Sequence, residues 1–372
     1  MSKLKVAIIG CGYWGQNLIR NFSDLDDVEV TAVCDFDLNA LARIKRRHPA
    51  VDMKQDYKEV LSDSRIRAVV IATPVSTHYS FARQALLAGK HVLVEKPLAT
   101  SSVKVLELIE LADKQNKVLM VDHTFLYTGA VRHLKSLIDS GEIGDLLYFD
   151  SIRISLGLVQ SDINVVWDLG PHDFSIMDYL LKQAPVAISA LGIKHLNCPF
   201  ENIAYVTAHF GSNMIAHFHL NWLAPVKVRR TLIGGSKKMI VYDDMETAEK
   251  VKVYDKGISM NHDPERRERL LAGYRNGDMH APNLDATEAL RLMAREFVHS
   301  ICEKRAPISG GYSGYRVVRL LEAAQQSMEQ NGRPIELRVP EITHPNPILP
   351  VTEIMPKNKE RTWGNIAGSL PT

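Results

Sequence analysis

Lys5-Val6-Ala7-Ile8-Ile9-Gly10-Cys11-Gly12-Tyr13-Trp14-Gly15 decides the fold. An unbroken apolar run from Val6 to Ile9 passes directly into Gly10-x-Gly12-x-x-Gly15. Such a run suits a strand covered by helices on both sheet faces. The glycines permit a tight turn and let backbone N–H groups approach a pyrophosphate. The N-terminus of the helix that follows adds about half a positive charge. Asp35 ends the next apolar run, 28–34, twenty residues beyond Gly15. A carboxylate there binds both ribose hydroxyls of NAD and repels the 2′-phosphate of NADP, so the motif favours NAD over NADP. Arg43, Lys45, Arg46 and Arg47 read as a solvated helix face.

The same alternation continues outward to residue 122. Apolar runs at 68–72, 91–94 and 118–121 are separated by helical stretches at 13–22, 38–47, 76–88 and 101–114. This predicts an α/β fold that opens with a doubly wound parallel sheet. After residue 123 the pattern changes. A helix is expected over 130–140 and another over 172–181, among β-like segments at 146–155, 186–194, 204–210, 214–222, 229–233 and 238–242. Strands with few helices between them predict a large open sheet, mixed or antiparallel, in an α+β second domain. Helical periodicity returns over 284–302 and 312–331. The Pro-rich segment from Pro340 to Pro371 reads as an extended tail. The expected domains are 1–122, 123–338 and 339–372.

Composition fits a globular protein of more than one domain. The chain has 372 residues, 45% apolar and 24% charged, and its 45 basic and 43 acidic residues leave a net charge of +2. Neither a nucleic-acid footprint nor an anionic-membrane footprint is present. No apolar run approaches the roughly 20 residues that span a bilayer. Met1 to Lys5 shows no basic n-region with an h-region and cleavage site, so a cytoplasmic protein is expected. Cys11, Cys34, Cys198 and Cys302 have no paired spacing and read as reduced packing thiols.

Candidate chemistry sits where the parallel strands end. Glu95-Lys96-Pro97 follows the fourth long run, placing Lys96 either at the cofactor's reactive end or at an ordinary turn. Thr73-Pro74-Val75-Ser76-Thr77-His78 follows the third run. Ser76 or Thr77 is a candidate helix cap, and His78 faces either the cofactor or the helix surface. In Trp167-Asp168-Leu169-Gly170-Pro171-His172, Asp168 and His172 lie one helical turn apart. With a helix starting near Pro171 they face one cleft, where the carboxylate can orient the imidazole. The other reading makes Asp168 a helix cap and His172 a first-turn polar residue. His209, His217 and His219 read as a polar sheet face rather than a metal site, since no carboxylate or cysteine accompanies them. Arg229, Arg230 and Arg275 are candidates for a diphosphate, or are solvated surface groups. Arg266, Arg267 and Arg269 read as a helix face.

Taken together, Gly10-x-Gly12-x-x-Gly15, Thr73-Pro74 with His78, Glu95-Lys96-Pro97 and Asp168-x-x-x-His172 resemble the Gfo/Idh/MocA oxidoreductase family over about residues 4–335. The resemblance implies a Rossmann domain, NAD(P)-dependent chemistry on a sugar or cyclic polyol, and a homodimer or homotetramer assembled through the second sheet. It makes Lys96, His172 and Asp168 catalytic. It assigns cofactor contacts to Gly10, Gly12, Tyr13, Trp14, Gly15, Asp35, Thr73, Pro74, His78, Glu95, Lys96 and His123. Where many members carry an Arg-Phe-x-Pro-like segment, this chain reads Asp122-His123-Thr124-Phe125-Leu126-Tyr127-Thr128-Gly129. This version looks like members that oxidise C3 of UDP-linked amino sugars or uronic acids for polysaccharide assembly. The alternatives are a dehydrogenase of free inositol or aldose, and a non-catalytic NAD-binding regulator.

Overall fold

The computed structural model describes residues 3–156, 162–255, 257–260, 272–275 and 277–337. Its first sheet comprises β1 (Leu4–Ile9), β2 (Val28–Cys34), β3 (Asp52–Lys54), β4 (Ala68–Ile71), β5 (His91–Glu95) and β6 (Leu119–Asp122). These run parallel in the order β3-β2-β1-β4-β5-β6. Helices α1 (Tyr13–Ser23), α2 (Leu38–Arg47), α3 (Tyr57–Ser62), α4 (Val75–Leu87) and α5 (Ser102–Lys114) connect them. The strand order reverses between β1 and β4, so the loops after these two strands open a crevice at the carboxyl edge, the usual ligand site of such sheets. The apolar runs are strands because both faces are covered: Val6, Ile8, Val69, Val70, Val92 and Leu93 are all fully buried.

A 3₁₀ turn, Thr124–Tyr127, leads into α6 (Gly129–Asp139), β7 (Leu146–Ile154) and α7 (Val165–Leu180). The chain continues through β8 (Ala187–Ile193), β9 (Ile203–His209), β10 (Ile215–Asn221), β11 (Val228–Gly235), β12 (Met239–Asp243) and β13 (Val251–Tyr254). The short β14 (Gly257–Met260) and β15 (Ala272–Arg275) pair with each other, and β16 (Met279–His280), α8 (Ala289–Glu303), α9 (Gly311–Glu329) and β17 (Ile335–Glu336) complete the described chain. The second sheet runs β16-β13-β12-β11-β7-β10-β9-β8-β17. Only β7 and β10 are parallel among its described pairs, so the sheet is mixed.

Alternation divides this sheet into two faces. Phe149, Val206, Ala216 and Phe218 point inward under α7 and are fully buried. The outer face carries exposed Leu191, Ile193, Tyr205 and Ile215. His209, His217 and His219 lie on that outer face, where His209 meets Ser189 Oγ, His217 meets Thr207 Oγ1 and Tyr205 stacks on His219. The segment before α9 covers the β6 edge: Val121 N donates to Ser309 O at 2.8 Å, and Ser309 Oγ donates back to Val121 O at 2.7 Å. An edge strand covered in this way offers no free ladder to another chain. No described helix is long and apolar enough to cross a membrane.

Two expectations need correction. The helix carrying Asp168 and His172 begins at Val165, not near Pro171. Asn164 caps it, its side-chain oxygen accepting from Val166 N and Trp167 N at 3.0 and 3.1 Å, and Pro171 lies inside. Ser76 and Thr77 do not cap α4. Pro74 holds that position, and the Thr77 hydroxyl donates back to Pro74 O. Arg266, Arg267, Arg269, the Arg275 side chain and the Pro-rich segment lie outside the described residues.

The inner face also buries an ion pair. Arg153 on β7 donates to Asp173 on α7 at 2.8–3.0 Å, with the side chains 6% and 2% exposed. Removing one partner of such a pair strands a charge in the core. Asp173→Ala should therefore lower unfolding free energy by about 3–5 kcal/mol in urea titrations. Replacing both partners by apolar residues of similar volume should recover most of that loss.

Candidate active site

The glycine turn is fixed by contact rather than by flexibility alone. Gly10 has φ +89°, and a Cβ there would lie 2.4 Å from Ala72 O at the end of β4. A Cβ on Gly15 would lie 2.0 Å from Gly10 O, whereas one on Gly12 would meet nothing within 4 Å. The outer two glycines thus pack the chain against itself, and Gly12 leaves open space before the first turn of α1. No side chain caps that turn. An uncapped helix N-terminus facing open space suits a phosphate.

Asp35 stands beside the turn. Its Oδ2 accepts from Cys11 N at 2.8 Å and Cys11 Sγ at 3.3 Å, and its Oδ1 accepts from Asp37 N at 2.9 Å. Burial, reinforced by this carboxylate, pushes the Cys11 thiol up to about 12, so it remains a donor. Two oxygens carry about four lone-pair sites, of which these bonds use three, so Oδ1 keeps one for a ribose hydroxyl. Tyr13 and Trp14 are exposed over the turn, ring edge to ring face at 5.3 Å. These features together fit a dinucleotide.

The reactive end lies along the ends of β4, β5 and β6. His78 does not face the cleft. It is 1% exposed, with Nδ1 and Nε2 each 2.8 Å from a backbone carbonyl, those of Pro97 and Thr73. The ring ties the β4 loop to the β5 loop, so the expectation that it reaches the cofactor is replaced by a clamp. The Thr73 hydroxyl is paired with Thr77. Lys96, joined to Pro97 by a cis peptide bond, sends its ammonium across to α7. Nζ donates to Asp168 O at 2.7 Å and Asp168 Oδ1 at 3.2 Å. Trp222 Nε1, just beyond β10, donates to Asp168 Oδ2 at 3.1 Å. Asp168 therefore faces Lys96 and Trp222, not His172 as the four-residue spacing suggested. Pro171, with no N–H for the Trp167 carbonyl, loosens α7 in the turn where Lys96 adds its bond to Asp168 O.

His172 points the same way by helical spacing. Its ring meets Phe125 edge to face at 5.1 Å. Nδ1 is buried without a partner, while Nε2 is not among the buried unpartnered atoms. Burial, then the charges of Lys96, Arg153 and Arg229, hold the imidazole well below the usual histidine range. It is neutral at neutral pH and free to accept a proton. Phe125 also carries the Arg153 guanidinium at 4.6 Å and that of Arg229 at 5.8 Å. Among the described sequence-selected arginines, Arg229 acts on His172. Arg230 points to the outer face and binds Asp243 at 2.7 Å. His123 is buried with neither ring nitrogen partnered, and burial pushes it down to about 3. Glu95 gives Oε2 to Lys96 N at 3.2 Å, and its Oε1 has no partner. Trp222, Arg153, Phe125 and Asp122 were not read as site residues. The signal available was a polar residue in an apolar strand for Arg153, and a strand-end position for Asp122 and Trp222.

The profile described as "Oxidoreductase family, NAD-binding Rossmann fold" matches residues 4–123, and the GFO/IDH/MocA C-terminal domain matches residues 131–241. The chain belongs to the GFO/IDH/MocA family. Among curated relatives, glycosyl hydrolase family 109 protein 2 of Shewanella sp. (strain ANA-3) is 31% identical over 163 residues, 41% of this chain and 36% of that protein. Inositol 2-dehydrogenase 2 of Saccharopolyspora erythraea is 30% identical over 191 residues, 50% of this chain and 56% of that protein. The aligned region thus spans less than two thirds of either relative. The structure of UDP-N-acetylglucosamine 3-dehydrogenase from Acidithiobacillus ferrooxidans superposes with a TM-score of 0.76 at 22% identity, covering 89% of this chain and 99% of that one. At that identity the likeness shows the GFO/IDH/MocA fold.

The three glycines separate experimentally. Gly15→Ala forces backbone apart and should lower stability by about 1–3 kcal/mol in thermal or urea unfolding. Gly12→Ala should unfold like the parent protein yet bind NAD more weakly by calorimetry, because its methyl group enters the space left for phosphate.

Proposed function

We propose that this GFO/IDH/MocA protein is an NAD-dependent oxidoreductase that oxidises a ring secondary alcohol, at C3, of a UDP-linked sugar. The observation that carries the reading is the meeting of Lys96, Asp168 and His172 at the carboxyl edge of the first sheet. NAD, when bound, supplies the hydride acceptor. Neutral His172 takes the hydroxyl proton, with Nε2 as the nitrogen open to the cleft. The Lys96 ammonium donates to the same oxygen and stabilises the negative charge that develops there. Asp168, held by Trp222, fixes the ammonium, so it acts on Lys96 and not on His172. Asp35 supports NAD over NADP, because a 2′-phosphate would meet its charge.

The nucleotide-linked class rests on two supports. The Acidithiobacillus structure bears the name of a UDP-sugar 3-dehydrogenase. Arg229, partly exposed and over the Phe125 ring beside His172, offers donors to an anionic substituent. A free inositol or aldose is the second reading, favoured by the name of the Saccharopolyspora relative. A non-catalytic regulator would have no need of the Lys96–Asp168 pair beside a neutral imidazole. We place the protein in the cytoplasm, as a homodimer or homotetramer joined through the outer face of the second sheet.

The test is NADH formation with NAD and a panel of UDP-sugars, free hexoses and inositols, with a 2-oxo acid added to release any hydride retained on bound cofactor. Turnover confined to UDP-sugars supports the first reading, and turnover confined to free polyols replaces it with the second. Lys96→Ala and His172→Ala should each lower turnover by about 10²–10⁴-fold. Near-normal turnover in either variant would remove that residue from proton transfer.

A further inference from the structure

Glu95 and Asp122 are register partners at the carboxyl ends of β5 and β6. Asp122 is 2% exposed. One oxygen of each carboxyl group has a donor. Asp122 Oδ1 accepts from Thr124 Oγ1 at 2.6 Å, and Glu95 Oε2 accepts from Lys96 N at 3.2 Å. The other two, Asp122 Oδ2 and Glu95 Oε1, are buried and receive no hydrogen bond. Two ionised carboxylates cannot both persist side by side away from water. A single proton between them turns the two orphaned oxygens into donor and acceptor of a short charge-assisted bond.

We propose that Glu95 and Asp122 share one proton and act together as a positioning pair for Lys96. With a single negative charge, the pair holds the Lys96 backbone N–H through Glu95 and leaves the ammonium to Asp168. A second negative charge would compete with Asp168 for that ammonium and drive the two strand ends apart. The groups that act on the pair are Lys96 beside it and Thr124 after β6, and Tyr127 in the 3₁₀ turn feels the charge of Asp122. His123 follows Asp122 directly and Arg316 acts on His123. Arg316 is bound to Asp178 at 2.6 Å. Burial lowers the proton affinity of His78, His123 and His172. Lys96 is the cation that acts on both carboxyl groups.

Burial holds both carboxyl groups above the usual carboxylate range, and the charge of Asp122 adds to the rise at Glu95. The folded protein then binds the shared proton more tightly than the unfolded chain does. The pair's contribution to stability is largest at acid pH and declines as pH rises from the ordinary carboxylate range through the raised value. Each pH unit of that interval is worth about tenfold in the folding constant.

The proposal rests on the assigned site only for the role of Lys96, and the proton itself can be read without substrate or cofactor. Infrared difference spectra of the full chain at neutral pH should contain the C=O stretch of a protonated carboxylic acid that is absent from Asp122→Asn. In that variant the amide donates permanently to Glu95, so the decline in folding constant with rising pH and the alkaline fall in kcat should both flatten. Asp122→Ala leaves Glu95 Oε1 without a donor and should lower kcat by about tenfold or more, with a smaller change in KM for NAD. No protonated carboxyl group at neutral pH, or a band unchanged in Asp122→Asn, overturns the shared proton. An alkaline limb of kcat identical in parent and Asp122→Asn overturns the positioning role. A silent sugar panel would defeat the proposed function and leave the infrared and unfolding readings intact.

Discussion

The ion pair between Lys96 and Asp168 is the interaction on which the rest of the molecule turns. Its ammonium comes from the end of β5 in the first sheet, its carboxylate from α7 over the second, and Trp222 beyond β10 holds the second carboxylate oxygen. An exposed pair is worth at most about 1 kcal/mol, whereas a buried charge that loses its partner costs about 3–5. With side chains 15% and 19% exposed, this pair lies between those limits. It therefore binds the two halves of the cleft to one geometry while keeping the ammonium close enough to solvent to meet a substrate.

The charges around the imidazole follow from the same economy. Lys96, Arg153 and Arg229 act on His172, and they are paired with Asp168, Asp173 and Asp244. Had one of those carboxylates faced the imidazole, it would have favoured the charged ring. Turning Asp168 toward Lys96 lets one helix present a fixed carboxylate and a neutral histidine a turn apart.

The first half was largely legible because strands buried on both faces read as uninterrupted apolar runs. The loops at their carboxyl ends follow directly, and there position alone left Lys96 either at the cofactor's reactive end or at an ordinary turn. β3 escaped because it has three residues, Asp52–Lys54, at the sheet edge, where nothing requires an apolar run. The start of α7 was misread because proline usually marks a first helical turn, and here Asn164 does the capping seven residues earlier. His78 was misplaced because a histidine in a site motif reads the same whether its nitrogens face a ligand or a backbone. Arg153 and Trp222 were invisible as site residues because strand register, not local sequence, decides which face a side chain takes.

That difference in legibility reflects where variation is tolerated. Gly10 and Gly15 are held by backbone atoms 2.0–2.4 Å from any added Cβ, so changing either rebuilds the turn. Phe125, Arg153 and Arg229 project from a 3₁₀ turn and two strands whose backbone bonds do not depend on the side chain. Phe125 and Arg229 can be exchanged without disturbing the dinucleotide turn, whereas Arg153 is tied to Asp173 in the core. The Asp122–Glu95 pair crosses that division. It is set by the parallel register of β5 and β6, yet Glu95 also accepts from the backbone N–H of Lys96. A substitution at Asp122 is thus the change in this site through which sheet packing reaches the ammonium directly.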